Sequence, residues 1–322
     1  MSFSKEVKAE LSREISSARH CRIAEIAAII TLCGQVKIST YNRYILKITT
    51  ENISVARKCF TLIKKTFNIS TEIIIKRNNN ITGNKVYNLL VTDHDMTIKI
   101  LQATKLIDEN HEIKEDFSLS SNLIIQNTCC KRAFIRGAFL AAGSISNPNK
   151  NYHFEIVVPV EEKAIQLQEI IKTFQIDAKI ILRKRNYVVY LKEGSQIVDL
   201  LNVMEAHIAL MELENVRILK GMRNTVNRQV NCEAANINKT VKAATKQMDD
   251  INYIKENKRF SMLPDGLKEI ATLRAKHPEA SLKELGEMLS PPLGKSGVNH
   301  RLRKISRIAD KLREQKEEIS ND

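Results

Sequence analysis

Two stretches of the sequence decide the fold: RIAEIAAIITLCG at Arg22–Gly34 and KRAFIRGAFLAAG at Lys131–Gly143. They align at an offset of 109 residues, and four aligned pairs share small or apolar character: Ala24 with Ala133, Ile26 with Ile135, Ala28 with Gly137, and Gly34 with Gly143. Each stretch is mostly apolar and ends at a glycine, a pattern that favours a buried helix. Because self-similarity at a fixed offset indicates an internal repeat, we predict a duplicated unit built around this helix.

The similarity continues downstream. IKKTFNI at Ile63–Ile69 matches IIKTFQI at Ile170–Ile176 at an offset of 107, and the apolar run Ile73–Arg77 matches Ile180–Lys184 at the same offset. A hairpin loop of different length in the two copies explains the change of two in the offset. Three matches in the same order favour duplication over chance.

Each copy predicts the same element order, αββαββα, and therefore an α+β fold. After the apolar helix, the first copy predicts strands Gln35–Ser39 and Arg43–Thr49, helix Asn52–Asn68, strands Thr71–Arg77 and Lys85–Thr92, and a short helix. The second predicts strands Ser144–Ser146 and Tyr152–Val158, helix Val160–Gln175, strands Ala178–Lys184 and Tyr187–Lys192, and a short helix. Three connecting segments are predicted from turn residues: a hairpin loop at Asn78–Asn84, a loop at Asp93–Asp95, and the joint between copies at Glu109–Thr128.

The first helix of each copy carries small residues four positions apart: Ala24 and Ala28 in one copy, and Ala133, Gly137 and Ala141 in the other. One interpretation is ordinary packing of each helix on a sheet. The other is close packing of the two helices on each other at a pseudo-twofold axis, which small residues allow. With the αββαββα order and the terminal glycines, the second interpretation resembles the LAGLIDADG homing-endonuclease fold.

That resemblance implies two saddle-shaped sheets over a DNA duplex and an acidic residue just before each glycine. Two such carboxylates hold divalent cations that activate water. In this sequence the two positions are Cys33 and Ala142. Alanine has no ligand atom and a thiol is a poor Mg²⁺ ligand, so we expect degenerate catalytic positions, no catalytic residues and no enzymatic activity. A metal-dependent endonuclease is the disfavoured alternative.

The composition indicates a polyanionic partner. Lys and Arg number 51 and Asp and Glu 37, a formal net charge of +14, which favours nucleic acid over a membrane surface. Trp is absent and aromatic residues make up 5% of the chain, so stacking platforms for single strands are scarce and double-stranded DNA is the expected partner. No run approaches about 18 apolar residues and the N-terminal segment lacks an apolar signal region. We expect no membrane partner and a cytoplasmic, nucleoid-associated protein.

The cysteines show no pattern of a metal site in the sequence. There are six, with neither a C-x-x-C pair nor the Cys/His spacing of a zinc motif: Cys21, Cys33, Cys59, Cys129, Cys130 and Cys232. We interpret them as reduced thiols and expect no metal and no cofactor.

The segment after Ser195 predicts helices. An apolar stripe recurs at helical spacing in Ala206–Arg228: Leu210, Leu213, Val216, Leu219 and Met222. The following segment Val230–Asn257 carries cations at spacings of three and four: Lys239, Lys242 and Lys246. It is either a solvated connecting helix or a basic helix that lies along phosphates, and three asparagines either cap a helix or contact DNA: Asn231, Asn236 and Asn238.

The C-terminal segment predicts a helix-turn-helix. Pro264–Gly266 opens a helix that ends at His277-Pro278, and Ser281 with Glu284 forms a capping box at the start of a short second helix. Ser290–Gly294 contains two prolines and predicts a turn. A third helix follows, with Ser296 as its predicted N-cap and an apolar stripe that we expect to be buried: Val298, Leu302, Ile305, Ala309 and Leu312.

The other faces of this third helix are polar and basic. Gly294–Arg313 contains seven Lys or Arg and one acid, a local charge of +6, as a recognition helix in the major groove requires. Arg pairs with guanine, Asn with adenine and Lys with phosphate. The predicted DNA-binding residues are Lys283, Lys295, Ser296, Asn299, His300, Arg301, Arg303, Lys304 and Arg307. The alternative is a basic helical hairpin that binds protein.

Two motifs add a family resemblance. After the LAGLIDADG-like duplication, NCEAAN at Asn231–Asn236 and KSGVNHRLRKI at Lys295–Ile305 closely resemble the WhiA family of bacterial regulators, and the resemblance covers nearly the whole chain. It implies a DNA-binding protein without nuclease activity, linked to sporulation genes in some bacteria and to cell division and chromosome segregation in others. Other division or transcription proteins are further implied partners.

We therefore predict a duplicated LAGLIDADG-like N-terminal domain followed by an all-α helix-turn-helix domain. The predicted boundaries are 1–128 and 129–205 for the two repeats, 206–262 for a helical linker, 263–315 for the helix-turn-helix and 316–322 for a tail. The expected function is non-enzymatic, sequence-specific DNA binding in transcription regulation. A further alternative is a protein-interaction adaptor with a basic localising tail. The sequence leaves the DNA target and the oligomeric state open.

Overall fold

The computed structural model describes residues 2–38, 43–77, 85–107 and 123–321. The predicted loop Asn78–Asn84 and most of the predicted joint Glu109–Thr128 lie outside these ranges. The chain forms two compact units, Met1–Gly221 and Met222–Asp322. Within the described ranges, no helix has an apolar stretch long enough to cross a lipid bilayer.

The first unit contains the two predicted repeats. Its first half comprises helices α1 (Phe3–Leu11) and α2 (Arg19–Cys33), strands β1 (Gly34–Ile38) and β2 (Tyr44–Thr50), helix α3 (Ile53–Phe67), strands β3 (Glu72–Arg77) and β4 (Lys85–Val91), and helix α4 (His94–Ala103). Its second half comprises a 3-10 turn (Leu123–Ile125), α5 (Thr128–Ala142), β5 (Gly143–Ile145), β6 (Phe154–Val158), α6 (Glu161–Lys172), β7 (Lys179–Arg183), β8 (Asn186–Leu191) and α7 (Gly194–Met204). The antiparallel sheets have equivalent strand orders, β1-β2-β4-β3 and β5-β6-β8-β7. The α+β duplication is confirmed.

The two repeat helices pack against each other, as the second interpretation of their small residues predicted. Ala24, Ala28 and Ala133 are fully buried. A Cβ atom on Gly137 of α5 would lie 2.5 Å from the carbonyl oxygen of Glu25 and 3.0 Å from the Cβ of Ala28 on α2. Backbone and side chain therefore already fill the space where a larger residue would stand, and the glycine permits the close approach.

A buried charge cluster joins the same two helices. Glu25 of α2 is fully buried, and its Oε1 lies 2.9 Å from the Nζ of Lys58 on α3 and 3.3 Å from the Nε of Arg136 on α5. Lys58 also donates to the carbonyl oxygens of Leu11 and Glu14. Burial lowers the pKa of Lys58 in spite of its carboxylate neighbour, so the ammonium depends on these partners to remain charged.

Arg136 extends this cluster to the end of α7. Its Nη1 lies 2.5 Å from the Glu205 carboxylate and 3.4 Å from the Met204 carbonyl oxygen. The two carboxylates raise the pKa of Arg136 against the effect of its burial. A single guanidinium thus connects the first repeat, through Glu25, to the last helix of the second repeat.

The second unit is helical. It contains the later part of α8 (His207–Glu256), a 3-10 turn (Phe260–Met262), α9 (Asp265–Lys276), α10 (Leu282–Glu287) and α11 (Lys295–Asn321). Its core includes apolar residues of all four helices: Ile251, Ile254, Leu267, Ile270, Leu285, Val298, Leu302, Ile305 and Ala309. The capping box of Ser281 and Glu284 is present, and the buried stripe of α11 is confirmed, with Leu312 partly buried against the core.

Two local expectations are corrected. Asp93–Asp95 is not a loop, because Asp93 accepts a hydrogen bond from the Met96 amide and begins α4. Ser296 is not the N-cap of α11: the helix begins at Lys295, and the Gly294 carbonyl oxygen accepts from the amides of Gly297 and Val298.

The middle segment is helical, as predicted, and forms one continuous helix of 50 residues, α8. Its asparagines at 231, 236 and 238 lie inside the helix and cap nothing. Its predicted apolar stripe is buried only in part, since Leu213 is 1% exposed but Leu219 and Met222 are 53% and 62% exposed.

The packing of α2 on α5 predicts a position-specific effect of glycine substitution. Gly137→Leu should lower the free energy of unfolding by about 1–3 kcal/mol or more, because it overpacks the contact with Glu25 and Ala28. Gly137→Ala should also destabilise. The matched control Gly221→Ala places its Cβ where nothing lies within 4 Å and should stabilise by about 1 kcal/mol through helix propensity. Denaturant unfolding compares the three, and equal effects of the two alanine substitutions would contradict the close approach.

The charge cluster predicts that its carboxylate is essential for stability. Glu25→Gln keeps the shape of the side chain but leaves Lys58 and Arg136 buried without their shared counter-charge, which should cost about 3–5 kcal/mol. Glu212→Gln makes the same change at an exposed position of α8 and should have little effect. Urea midpoints of the two variants measure the difference, and indistinguishable midpoints would refute the role of the cluster.

Candidate nucleic-acid interface

The recognition helix α11 presents most of the predicted DNA-binding residues to solvent. Because its apolar stripe is buried against α9 and α10, the remaining faces are free for polar side chains. Those that are exposed on this helix are Lys295, Ser296, His300, Arg303, Lys304 and Arg307. Asn299 and Arg301 are partly buried. Lys283 is exposed on α10, with its Nζ 3.9 Å from the Oε1 of Glu287.

A basic groove of about 580 Å³ lies between α11 and the end of α8 within the second unit. Its walls bring together three predicted residues and two lysines whose role the sequence left open, and the full lining is Lys242, Ala243, Lys246, Gln247, Asn299, Arg303, Ser306 and Arg307. Each helix contributes two cations one turn apart, and the lining includes no carboxylate. We call this feature the basic groove. Four positive charges facing one concave surface attract phosphate groups.

An ion pair and a cation–π contact fix the two helices that form the groove. The Nη2 of Arg313 on α11 lies 2.8 Å from the Oδ1 of Asp250 on α8, which is fully buried. The same guanidinium lies 4.9 Å from the ring centroid of Tyr253, within the range of a cation–π interaction. These contacts hold the spacing between the two rows of cations.

Arg301 lies on a different side of α11 from the basic groove. Its Nη1 donates to the carbonyl oxygen of Gly266 at 3.1 Å and lies 4.0 Å from the carboxylate of Glu269. Both partners belong to α9, so this arginine ties the recognition helix to the first helix of the motif. That Arg301 reads a base remains a prediction, and such a role requires these contacts to break.

The ends of α2 and α5 have no carboxylates at the positions where the LAGLIDADG resemblance implies them. Cys33 donates from its Sγ to the Ile29 carbonyl oxygen at 3.2 Å, and burial raises the pKa of this thiol to about 12. Burial lowers the pKa of the neighbouring Lys8 to about 8, so an ammonium accompanies a neutral thiol there. Ala142 supplies no ligand atom. A cation beside a neutral thiol does not attract a divalent metal ion.

The edge strands of the two sheets are exposed and mainly apolar. In β3 and β7, five large side chains are 40% to 60% exposed: Ile73, Ile74, Ile75, Ile181 and Leu182. The basic groove of the second unit differs from these strands, because four cations line it.

Four metal-binding side chains come together at the start of the repeat helices, although the sequence shows no spacing of a metal motif. The side chains of His20, Cys21, Cys129 and Cys130 form a cluster whose ligand atoms all lie within 4.8 Å of one another. Sequence spacing missed it because the two halves are 109 residues apart. The repeat alignment contains the signal, since the same offset pairs His20 with Cys129 and Cys21 with Cys130.

Sequence models of three domain families match the chain. They are the WhiA N-terminal LAGLIDADG-like domain at residues 19–107, the WhiA LAGLIDADG-like domain at 131–223 and the WhiA C-terminal HTH domain at 226–309. Together they cover most of the chain, and they agree with the duplication and the helix-turn-helix described above.

Similar proteins match this chain over nearly its full length. A probable cell division protein WhiA of Lachnoclostridium phytofermentans is 59% identical over 98% of this chain and 100% of its own length. That of Alkaliphilus oremlandii is 50% identical over 98% and 99%. The crystal structure of full-length DUF199/WhiA from Thermotoga maritima matches with a TM-score of 0.60 at 25% identity, over 97% of this chain and 99% of that one.

Proposed function

The chain belongs to the WhiA family, and from this we propose that it is a non-enzymatic, sequence-specific DNA-binding regulator that holds duplex DNA with its second unit. The observation that supports the proposal best is the basic groove, where Lys242 and Lys246 face Arg303 and Arg307 beside a recognition helix. Its proposed role, as in the names of its relatives, is in cell division. Chromosome segregation, nucleoid association and, in sporulating relatives, sporulation belong to the same proposal.

The exposed residues of α11 divide into two proposed roles. The N-terminal half of the helix enters the major groove, where Asn299 and Arg303 reach base edges and His300 lies beside them. The first turn, with Lys295 and Ser296, has unpaired backbone amides that favour a phosphate.

Two cations further along the same helix contact the backbone of the duplex. Lys304 and Arg307 on α11 neutralise phosphates, as do Lys242 and Lys246 on α8. This assignment favours the second interpretation of α8, a basic helix that lies along phosphates. Arg301 keeps α11 oriented on α9, and Lys283 on α10 is placed to approach the backbone.

The boundaries drawn from the sequence complete the proposal. The two repeats at 1–128 and 129–205 serve as a scaffold, 206–262 connects them to the helix-turn-helix at 263–315, and 316–322 is a tail. The scaffold retains the packed helices of the LAGLIDADG fold without the carboxylates that would cut DNA.

Two classes of substitution should affect DNA binding differently. At a duplex site selected from a random pool, Asn299→Ala should cost about 1–3 kcal/mol and relax the sequence preference, because it removes a base contact. Lys246→Ala and Arg307→Ala should weaken binding to all duplexes alike. Each should also lower the salt slope, the steepness with which log K falls with log salt concentration, by about one. Fluorescence anisotropy over a salt series measures both quantities.

Lys65→Ala is the matched control, since it removes one positive charge from an exposed position of α3 in the first unit. It should leave affinity and salt slope unchanged. If Lys65→Ala and Lys246→Ala lowered the affinity equally, DNA binding would depend only on the net charge of the protein and not on the basic groove. Unchanged binding in all the groove variants would favour the adaptor alternative.

The degenerate catalytic positions predict that the protein does not cut DNA. Incubation of supercoiled plasmid and of the selected duplex with the purified protein and Mg²⁺ or Mn²⁺ should yield neither nicked nor linear product. Gel electrophoresis next to an active nuclease checks this. Specific nicking that disappears in Cys33→Ala would overturn the non-enzymatic assignment.

A further inference from the structure

A cluster of metal-binding side chains lies where the two repeat helices begin. His20 and Cys21 are in the first turn of α2, and Cys129 and Cys130 are in the first turn of α5. The Nδ1 atom of His20 lies 3.1 Å from the Sγ of Cys130, 3.4 Å from that of Cys21 and 4.0 Å from that of Cys129. We propose that these four side chains form a structural zinc site that joins the two repeats.

The donor set is one that zinc uses in structural sites. Three thiolates and one imidazole, Cys₃His, complete a tetrahedral shell with no open position. Oxygen-preferring cations such as Mg²⁺ and Ca²⁺ would find no oxygen ligand among these side chains. The soft sulfur ligands narrow the choice to zinc, copper(I) or iron–sulfur chemistry.

The distances fit a single ion. Zn–S bonds of about 2.3 Å and Zn–N bonds of about 2.0–2.1 Å at tetrahedral angles separate the ligand atoms by about 3.5–3.8 Å. The distances from the imidazole nitrogen, 3.1 Å to 4.0 Å, lie around this range. No pair of the four ligand atoms is more than 4.8 Å apart, so small side-chain rotations close the shell. An iron–sulfur cluster is larger than one ion and needs its cysteines further apart.

The electrostatic setting favours bound thiolates. Three thiolates, a neutral imidazole and Zn²⁺ carry a net charge of −1. The ligands lie in the first turns of α2 and α5, where the positive end of each helix dipole stabilises this charge. Basic residues flank the ligands in the sequence: Arg19, Arg22, Lys131 and Arg132.

Two of the four ligands are buried and two are exposed. Cys21 and Cys130 are 5% and 2% exposed, whereas His20 and Cys129 are exposed. Each repeat thus contributes one buried and one exposed ligand at equivalent positions of the duplication. The exposed pair provides a route for the ion, and the buried pair fixes it to the seam between α2 and α5.

A redox role fits the cluster less well. A disulfide would join two of the three sulfurs and leave the third cysteine and the imidazole of His20 without a role. The cluster lies in the first unit and takes no part in the proposed DNA contacts.

Metal analysis of the full-length protein tests the site. The protein is purified under reducing conditions from cells supplied with zinc, iron and copper, and its metal content is measured by inductively coupled plasma mass spectrometry. We expect about one zinc per chain. Replacement by Co²⁺ should give the visible absorption bands of tetrahedral cobalt with thiolate charge transfer.

Variants at the exposed ligands avoid disrupting the core. Cys129→Ser and His20→Ala should each weaken zinc binding at least about tenfold in competition with a chromophoric chelator, the lower bound for loss of a group that supports a metal site. Circular dichroism verifies that both variants are folded. Cys232→Ser is the matched control, because it removes an exposed thiol on α8 and should leave zinc content and affinity unchanged. A zinc chelator should lower the melting temperature of the parent protein and of Cys232→Ser, but have less effect on Cys129→Ser.

Several results would overturn the zinc site. The reduced parent protein could neither contain zinc nor take it up on titration, or it could hold iron or copper instead. A disulfide among the three cysteines would also exclude the site. So would an unchanged zinc affinity in the folded Cys129→Ser and His20→Ala variants.

Discussion

The buried carboxylate of Glu25 is the interaction on which the first unit depends. It lies in the middle of an apolar helix, and its counter-charges come from both repeats, Lys58 from the first and Arg136 from the second. Lys58 neutralises Glu25 within the first repeat and Glu205 neutralises Arg136 within the second, so the packing of α2 on α5 joins two ion pairs into one cluster through the contact of Glu25 with Arg136. The same step brings Gly137 against the backbone of Glu25. Charge and shape therefore impose one arrangement of the two repeats.

The two ends of this helix pair carry different chemical groups. At the carboxy-terminal ends of α2 and α5, Cys33 and Ala142 stand just before the glycines, where the LAGLIDADG resemblance implies carboxylates. The amino-terminal ends of the same helices instead gather the sulfur and imidazole groups of the proposed zinc site. The proposed DNA-binding function lies in the second unit, where the cations of α8 and α11 face a common groove.

Much of the fold could be predicted from local patterns. The repeat offset gave the two copies of αββαββα, the capping box of Ser281 gave the start of α10, and the spacing of apolar residues gave the buried face of α11. These features depend on residues close together in the chain or on periodicity. One prediction failed where the local signal was ambiguous, since Asp93 begins a helix although an acidic run also suits a loop. The asparagines of α8, whose role the sequence left open, do not interrupt the helix.

The candidate sites were less predictable because their parts are distant in sequence. The basic groove joins α8 to residues more than fifty positions later, and the Cys/His cluster combines residues from two repeats. Helical periodicity placed Arg301 off the buried stripe, but only the fold shows its hydrogen bond to Gly266. Contacts between residues so distant in sequence depend on tertiary packing, and neither helix propensity nor residue spacing predicts them.

Lysine footprinting tests most directly the central claim, that the second unit holds the DNA. The full-length protein is acetylated briefly with and without duplex DNA, and the modification of each lysine is measured by mass spectrometry. We expect DNA to protect Lys242, Lys246 and Lys304. The modification of Lys179 and Lys184, at the two ends of the exposed edge strand β7, should not change. Protection of Lys179 and Lys184 with no change at Lys246 and Lys304 would contradict it and would place the DNA on the sheets of the first unit.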